Sequence, residues 1–204
     1  DKSDDAHKFV REAIQAFPEI YFSRLVVLGE GDSEEIVLPR ILSAKGVPVD
    51  SSAITIAPLG GRHVNHFWRL LSQLEIPHIT LLDLDVARSG GGWGRIKYVN
   101  KQLEYYRNSA FLDENNTIPN WNDSNCLIRE SHSYTDINGQ SADIFSALES
   151  YNILFSEPMD LDFAMLKAFP NKFEITDIDT LPDQDLIKSV LGKKHHAPEQ
   201  YTEE

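Results

Sequence analysis

Sulfur and basic charge are both scarce in this sequence. A single cysteine, Cys126, excludes an intramolecular disulfide and a cysteine zinc cage, and it fits a reducing cytoplasm, the location expected here. No apolar run approaches the roughly 20 residues that a membrane-crossing helix needs, and no signal-like amino terminus is visible, so no membrane partner is expected. Lys and Arg number 19 against 32 Asp and Glu, a net charge of −13 that argues against nonspecific nucleic-acid binding by the surface as a whole. Histidine does not supply a metal cage either. His63, His66, His78 and His132 lack metal-ligand spacing, and the His195-His196 pair reads as solvated surface.

What the sequence does hold is a series of short buried-strand candidates, most of them ending in carboxylates. The 204 residues, 41% hydrophobic and 25% charged, suffice for one α/β domain carrying a large insertion. The first residue is Asp1 rather than Met, which we read as a piece of a longer protein. Residues 4–17 have helical spacing, with Pro18 as a stop, and residues 1–23 are expected to be a leading helix and linker. Arg24–Gly29 is the first strand candidate, followed by Glu30 and a helix capped by Asp32 or Ser33. Gly29 and Gly31 are expected to allow a sharp turn that leaves the Glu30 carboxylate exposed. Glu34 and Glu35 fall in the first helical turn, where the dipole favours acids, and for Glu35 that role suffices.

Ala53–Ala57 is a second strand and Val64–Leu74 an amphipathic helix. The run from His78 to Asp85 is a third strand, entered after Pro77. This alternation predicts right-handed crossovers in a parallel sheet, whose chemistry sits at the carboxyl ends of the strands. If the chain stays extended through residue 85, Asp83 and Asp85 point to one side, roughly 6–7 Å apart along the backbone, while Leu84 packs away. An Asp-x-Asp pair alone is a weak signal, because Asp after a strand often caps a helix. The loops after Leu28 and Leu82 open on the same edge, however, so Glu30 and Asp83/Asp85 are expected to face one cavity. Crowded carboxylates repel, and a divalent cation relieves them.

Ser89–Gly92 and a basic helix over about 93–108 open an insertion taken as 88–150. From residue 88 to residue 107, Arg88, Arg95, Lys97, Lys101 and Arg107 against Glu104 give a local charge of +4. An Asn-rich stretch follows, then a second helix over 141–150. Tyr151–Phe155 is a fourth strand and leads to Asp160 and Asp162, which read equally well as helix caps or as ligands.

Taken together, these motifs resemble a known family. A strand ending in Glu30 and a strand ending Asp83-x-Asp85 form the acidic pattern of Toprim domains. The strings Val27–Pro39, Pro58–Gly61 and Leu81–Asp85 resemble the overcoming lysogenization defect (OLD) family of ATP-dependent nucleases, in which Asp-Leu-Glu is more usual than the Asp160-Leu161-Asp162 found here. The resemblance implies an α/β fold with a Toprim-type parallel-sheet core flanked by helices and a mostly helical insertion. It implies a catalytic domain over 24–204 and an amino-terminal ATPase domain absent from this chain, through which ATP would act. The activity implied is that of a Mg²⁺- or Mn²⁺-dependent DNA endonuclease using two ions, in a family linked to phage defence. The metal ligands it implies are Glu30, Glu34, Asp83, Asp85 and Asp160 or Asp162, with a catalytic lysine at Lys193 or Lys194. A homodimer stays open.

In that scheme two cations ~4 Å apart activate a water and stabilise the leaving oxygen. Glu30 and Asp83 serve one ion and Glu34 with Asp160 or Asp162 the other, and Asp85 bridges or stands behind. Lys193 or Lys194 offsets phosphate charge. Arg88, Arg95, Lys97 and Lys101 guide the DNA backbone without reading sequence. Two other readings use the same residues: a topoisomerase- or primase-like Toprim module, and a Mg²⁺-binding phospho-acceptor receiver domain. The receiver is disfavoured by the large insertion and by acids after three separate strands.

Overall fold

A computed structural model describes residues 11, 15, 17–58, 64–85, 91–107, 142–157 and 159–173. The leading helix expected over 4–17 lies almost wholly outside them. Pro18 is not only a stop, for it starts a 3-10 turn over Pro18–Phe22. The elements that follow are β1 (Leu25–Gly29), α1 (Asp32–Ala44), a helical turn α2 (Val49–Ser52), β2 (Ile54–Pro58), α3 (Val64–Gln73), β3 (His78–Asp83), α4 (Trp93–Arg107), α5 (Ala142–Glu149), β4 (Ile153–Ser156) and α6 (Leu161–Ala168). Between β3 and β4 both described elements are helices, so the insertion is helical as far as it is described. Among the described residues no helix is long and apolar enough to cross a membrane.

The four strands form one parallel sheet in the order β2-β1-β3-β4. Their sequences are near-continuous runs of β-branched and aliphatic residues, as parallel strands covered on both faces require. After β1 the chain winds to one side to form β2, then returns past β1 to form β3. The switch point of the sheet therefore lies between β1 and β3, where ligand crevices of open α/β sheets form.

The main core is built on one face. Val26, Leu28 and Leu82 pack with Phe67 and Leu71 of α3 and with Ile96, Val99 and Leu103 of α4. The basic helix thus buries an apolar stripe against the sheet. Phe67, Leu71 and Ile96 are fully buried, each worth roughly 1.5–3 kcal/mol of transfer free energy. Trp68 stacks edge-on to Tyr106 at 5.7 Å, and its indole N–H donates to the Thr80 hydroxyl at 2.8 Å, satisfying a buried polar pair. On the opposite face Val37 of α1 meets Leu161 of α6, with Ile36, Leu38 and Met165 against them.

Candidate metal centre

β1 and β3 are hydrogen-bonded neighbours, with Leu28 opposite Thr80, so the residues just beyond their ends are brought together by the ladder itself. Glu30 follows β1 directly, and its Oε2 accepts the Asp83 backbone N–H at 2.8 Å. Asp83 ends β3 in register with Ser156 of β4, whose hydroxyl donates to Asp83 Oδ1 at 2.9 Å. Two acids 53 residues apart in the chain are thereby placed side by side at one edge of the sheet.

The strand does not continue to residue 85. Asp85 has a left-handed backbone, φ 55°, because its N–H donates to the Met159 carbonyl at 2.8 Å and the chain bends toward the end of β4. Asp and Asn tolerate this conformation better than most residues. The extended Asp-x-Asp geometry is thus replaced by a bend. Asp83 turns toward Ser156, and Asp85 turns toward Arg95 of α4.

Arg95 joins the two motifs. Its Nη1 donates to Glu30 Oε1 at 2.9 Å, while Nη2 and Nε reach Asp85 Oδ2 at 2.6 and 3.2 Å. The expectation for Arg95 was contact with the DNA backbone. Instead its guanidinium is directed inward onto the acids. Lys97 is half-buried and Lys101 exposed on the same helix, and Arg88 lies outside the described residues.

Glu34 enters from α1. The residue capping that helix is Gly31, and not Asp32 or Ser33, since Asp32 already belongs to the first turn. Glu34 folds back so that its Oε2 accepts the Gly31 N–H at 2.7 Å, which leaves its side chain lying over Gly29. A Cβ on Gly29 would stand 2.7 Å from Glu34 Cβ. Neither Gly29 nor Gly31 has a positive φ. The glycine at 29 therefore gives room for a carboxylate, and the sharp-turn role expected for the pair is not what the backbone uses.

The third set comes from the start of α6. Asp160 is its N-cap, Oδ1 accepting Phe163 N–H at 2.8 Å, and Asp162 in the first turn accepts the Ser33 hydroxyl at 2.8 Å. Glu34, Asp85, Asp160 and Asp162 are each at most 5% exposed. Burial pushes the Asp83 carboxyl up to about 8, with the charges of Glu30, Glu34 and Asp160 adding to it and the Ser156 hydroxyl opposing it. Burial also pushes Glu34 up to about 7, with Asp162 and Glu30 adding repulsion. Glu30 is raised by burial too, in part offset by Arg95. The acids from all three strand ends are therefore close enough to resist one another's ionisation.

Among the described residues, no three Asp, Glu, His or Cys side chains are placed to hold a metal ion as they stand. Several of these acids already hold hydrogen-bond partners. Arg95 takes oxygens of Glu30 and Asp85, Ser156 takes Asp83, and a helix cap takes Asp160. The donor set nonetheless suits a hard divalent cation, being oxygen throughout and short of positive charge. His78 plays no part, its ring lying against the Ile76 carbonyl at 3.1 Å with its basicity lowered by burial. Lys193 and Lys194 lie outside the described residues.

Three contributions were not anticipated from the sequence: Ser156 on Asp83, Ser33 on Asp162 and Arg95 on Glu30 and Asp85. Pairing β4 with β3 in register would have placed Ser156 beside Asp83. A basic residue in the first turn of the helix that follows Asp85 was a signal for the third.

Residues 21–85 match the family model described as the Toprim domain of overcoming lysogenization defect protein-like sequences. No curated protein matches the chain. Solved structures of the C-terminal region of the Xanthomonas campestris pv. campestris OLD protein resemble it. The one phased with platinum is 22% identical with a TM-score of 0.48, covering 82% of this chain and 68% of that one. The one phased with iodine is 19% identical with a TM-score of 0.48, covering 89% and 75%. The stretch that carries Glu30, Glu34, Asp83 and Asp85 is thus similar in sequence to the Toprim domain of overcoming lysogenization defect proteins.

Proposed function

We propose that this chain is a divalent-metal-dependent DNA endonuclease module that hydrolyses phosphodiester bonds, with Mg²⁺ or Mn²⁺ held in two positions. One observation carries the proposal. Glu30 and Asp83 adjoin at the switch point of the sheet, and the acids of α1 and α6 lie near enough to raise their proton affinity. Buried, mutually repelling carboxylates need positive charge, and a divalent cation is the ligand that oxygen donors select. Glu30 and Asp83 are assigned to one ion, Glu34 with Asp160 or Asp162 to the other, and Asp85 to a bridging or supporting place.

When bound, such ions supply a nucleophilic water at neutral pH and charge for the leaving oxygen. The protein's own residues do the rest. Ser156 orients Asp83, Ser33 orients Asp162, and the Asp160 cap fixes the start of α6 against the site. Lys101 on the outer face of α4 steers the DNA backbone, with Lys97 beside it, and Lys193 or Lys194 is assigned to the scissile phosphate. DNA is the substrate and an ATPase domain of the parent protein the partner.

Supercoiled plasmid tests this. Nicked or linear product is expected with Mn²⁺ or Mg²⁺ and none with EDTA, and Asp83→Ala is expected to abolish cleavage while leaving the circular dichroism spectrum unchanged. Full Mn²⁺-dependent cleavage by Asp83→Ala would remove the assignment. Cleavage at low salt should fall steeply as salt rises, since the steering is electrostatic.

A further inference from the structure

We propose that Arg95 is a built-in cation that occupies the Glu30–Asp85 end of the site and that a divalent ion must displace. The inference rests on the metal-centre reading above and adds a competitor to it. The guanidinium spans both acids, with contacts of 2.9 Å to Glu30 and 2.6 Å to Asp85. Nothing local to the helix favours a base there. Arg95 lies in the first turn of α4, where the helix dipole disfavours positive charge. Its position is therefore set by the carboxylates.

Burial decides which partner can leave. The Asp85 side chain is 5% exposed and that of Glu30 9%, whereas that of Arg95 is 30% exposed. Asp85 is also fixed by its own backbone, through its N–H to Met159. Arg95 has a long, flexible stem rooted at a helix start that is tied to the end of β3 by the Gly92 N–H donating to the Leu84 carbonyl at 2.6 Å. The guanidinium can swing outward while the acids stay, and it then stands on the same helix as Lys97 and Lys101. Two states of one site follow. In the metal-free state Arg95 neutralises Glu30 and Asp85. In the loaded state the ion does so and Arg95 is released to the rim.

Titration of Mn²⁺ into the full 204-residue chain by calorimetry separates the outcomes, with melting in EDTA and in saturating Mn²⁺ as a second readout. Arg95→Gln is expected to bind Mn²⁺ about tenfold more tightly than the parent, a change within the range of ordinary coupling free energies. It is expected to melt lower than the parent in EDTA, with the gap closing in Mn²⁺. Arg95→Lys keeps the charge but loses the fork, so its affinity should fall between the two. Should Arg95→Gln fail to fold in EDTA, Arg95→Lys against the parent carries the comparison. If the parent binds Mn²⁺ and neither variant binds it more tightly, the competitor role falls while the metal centre stands. If none of the three binds Mn²⁺, both fall.

Discussion

Asp83→Asn keeps the shape of the side chain and its ability to accept from the Ser156 hydroxyl, and it removes one proton equilibrium. In the metal-free fold Asp83 holds its proton up to about pH 8, whereas the unfolded chain releases it near the ordinary 3.8. Between those values the folded state binds more protons than the unfolded one. Stability therefore falls as pH rises through this window, and the loss is complete above about 8. A shift of about four units corresponds to a ceiling of about 6 kcal/mol, and relaxation with water entry reduces it to about 3 kcal/mol. For a chain of this size that is about 6–12 °C in melting temperature. In EDTA at constant low ionic strength, Asp83→Asn should melt close to the parent at pH 4.5 and well above it at pH 8. Glu34, raised to about 7, gives the parent the same downward slope. Millimolar Mg²⁺ at pH 8 should raise the parent more than the variant. A melting difference that is the same at both pH values, or a parent that grows more stable toward pH 8, would refute the reasoning.

Three further outcomes follow from the geometry. Gly29→Ala forces Glu34, and the first turn of α1 with it, away from residue 29 and should lower stability by about 1–3 kcal/mol, read as a fall in melting temperature. Gly31→Ala is the control, since its Cβ would meet Glu34 Oε2 only at 3.9 Å, and it should change little. Asp160→Asn preserves the cap on Phe163 while weakening any ligand role, whereas Asp160→Ala also loses about 1 kcal/mol of helix capping. Melting and Mn²⁺ affinity measured on both variants distinguish the cap from the ligand. Trp68→Phe leaves the buried Thr80 hydroxyl without its indole donor and should destabilise by about 1–3 kcal/mol, measured by denaturant unfolding.

The sheet was legible because buried parallel strands are written as short apolar runs, and Leu25–Leu28, Ile54–Ala57 and His78–Leu82 are such runs. That Glu30 and Asp83 would meet followed from loop direction alone. What stayed hidden depended on interactions distant in sequence. Asp85 bends because of Met159, 74 residues on, and no pattern in Leu81–Asp85 signals that bend. The purpose of Gly29 was hidden for a different reason. A missing side chain in a strand looks the same whether it allows a turn or makes space, and only the path of Glu34 over it decides. The inward contacts of Arg95 were not legible because charge counted along a helix does not say which way an individual side chain faces.

The acids of the site differ in what carries them. Glu30 and Asp83 stand at the tips of adjoining strands, locked by the ladder between β1 and β3 and by a carboxylate-to-amide bond across it. Glu34, Asp160 and Asp162, like the Arg95 cation that faces the site, are carried on the starts of helices. The site thus has a stiff floor and adjustable walls. Any accommodation to an arriving ion or phosphate is left to helix starts, each of which can tilt by a fraction of an ångström without breaking a strand pairing.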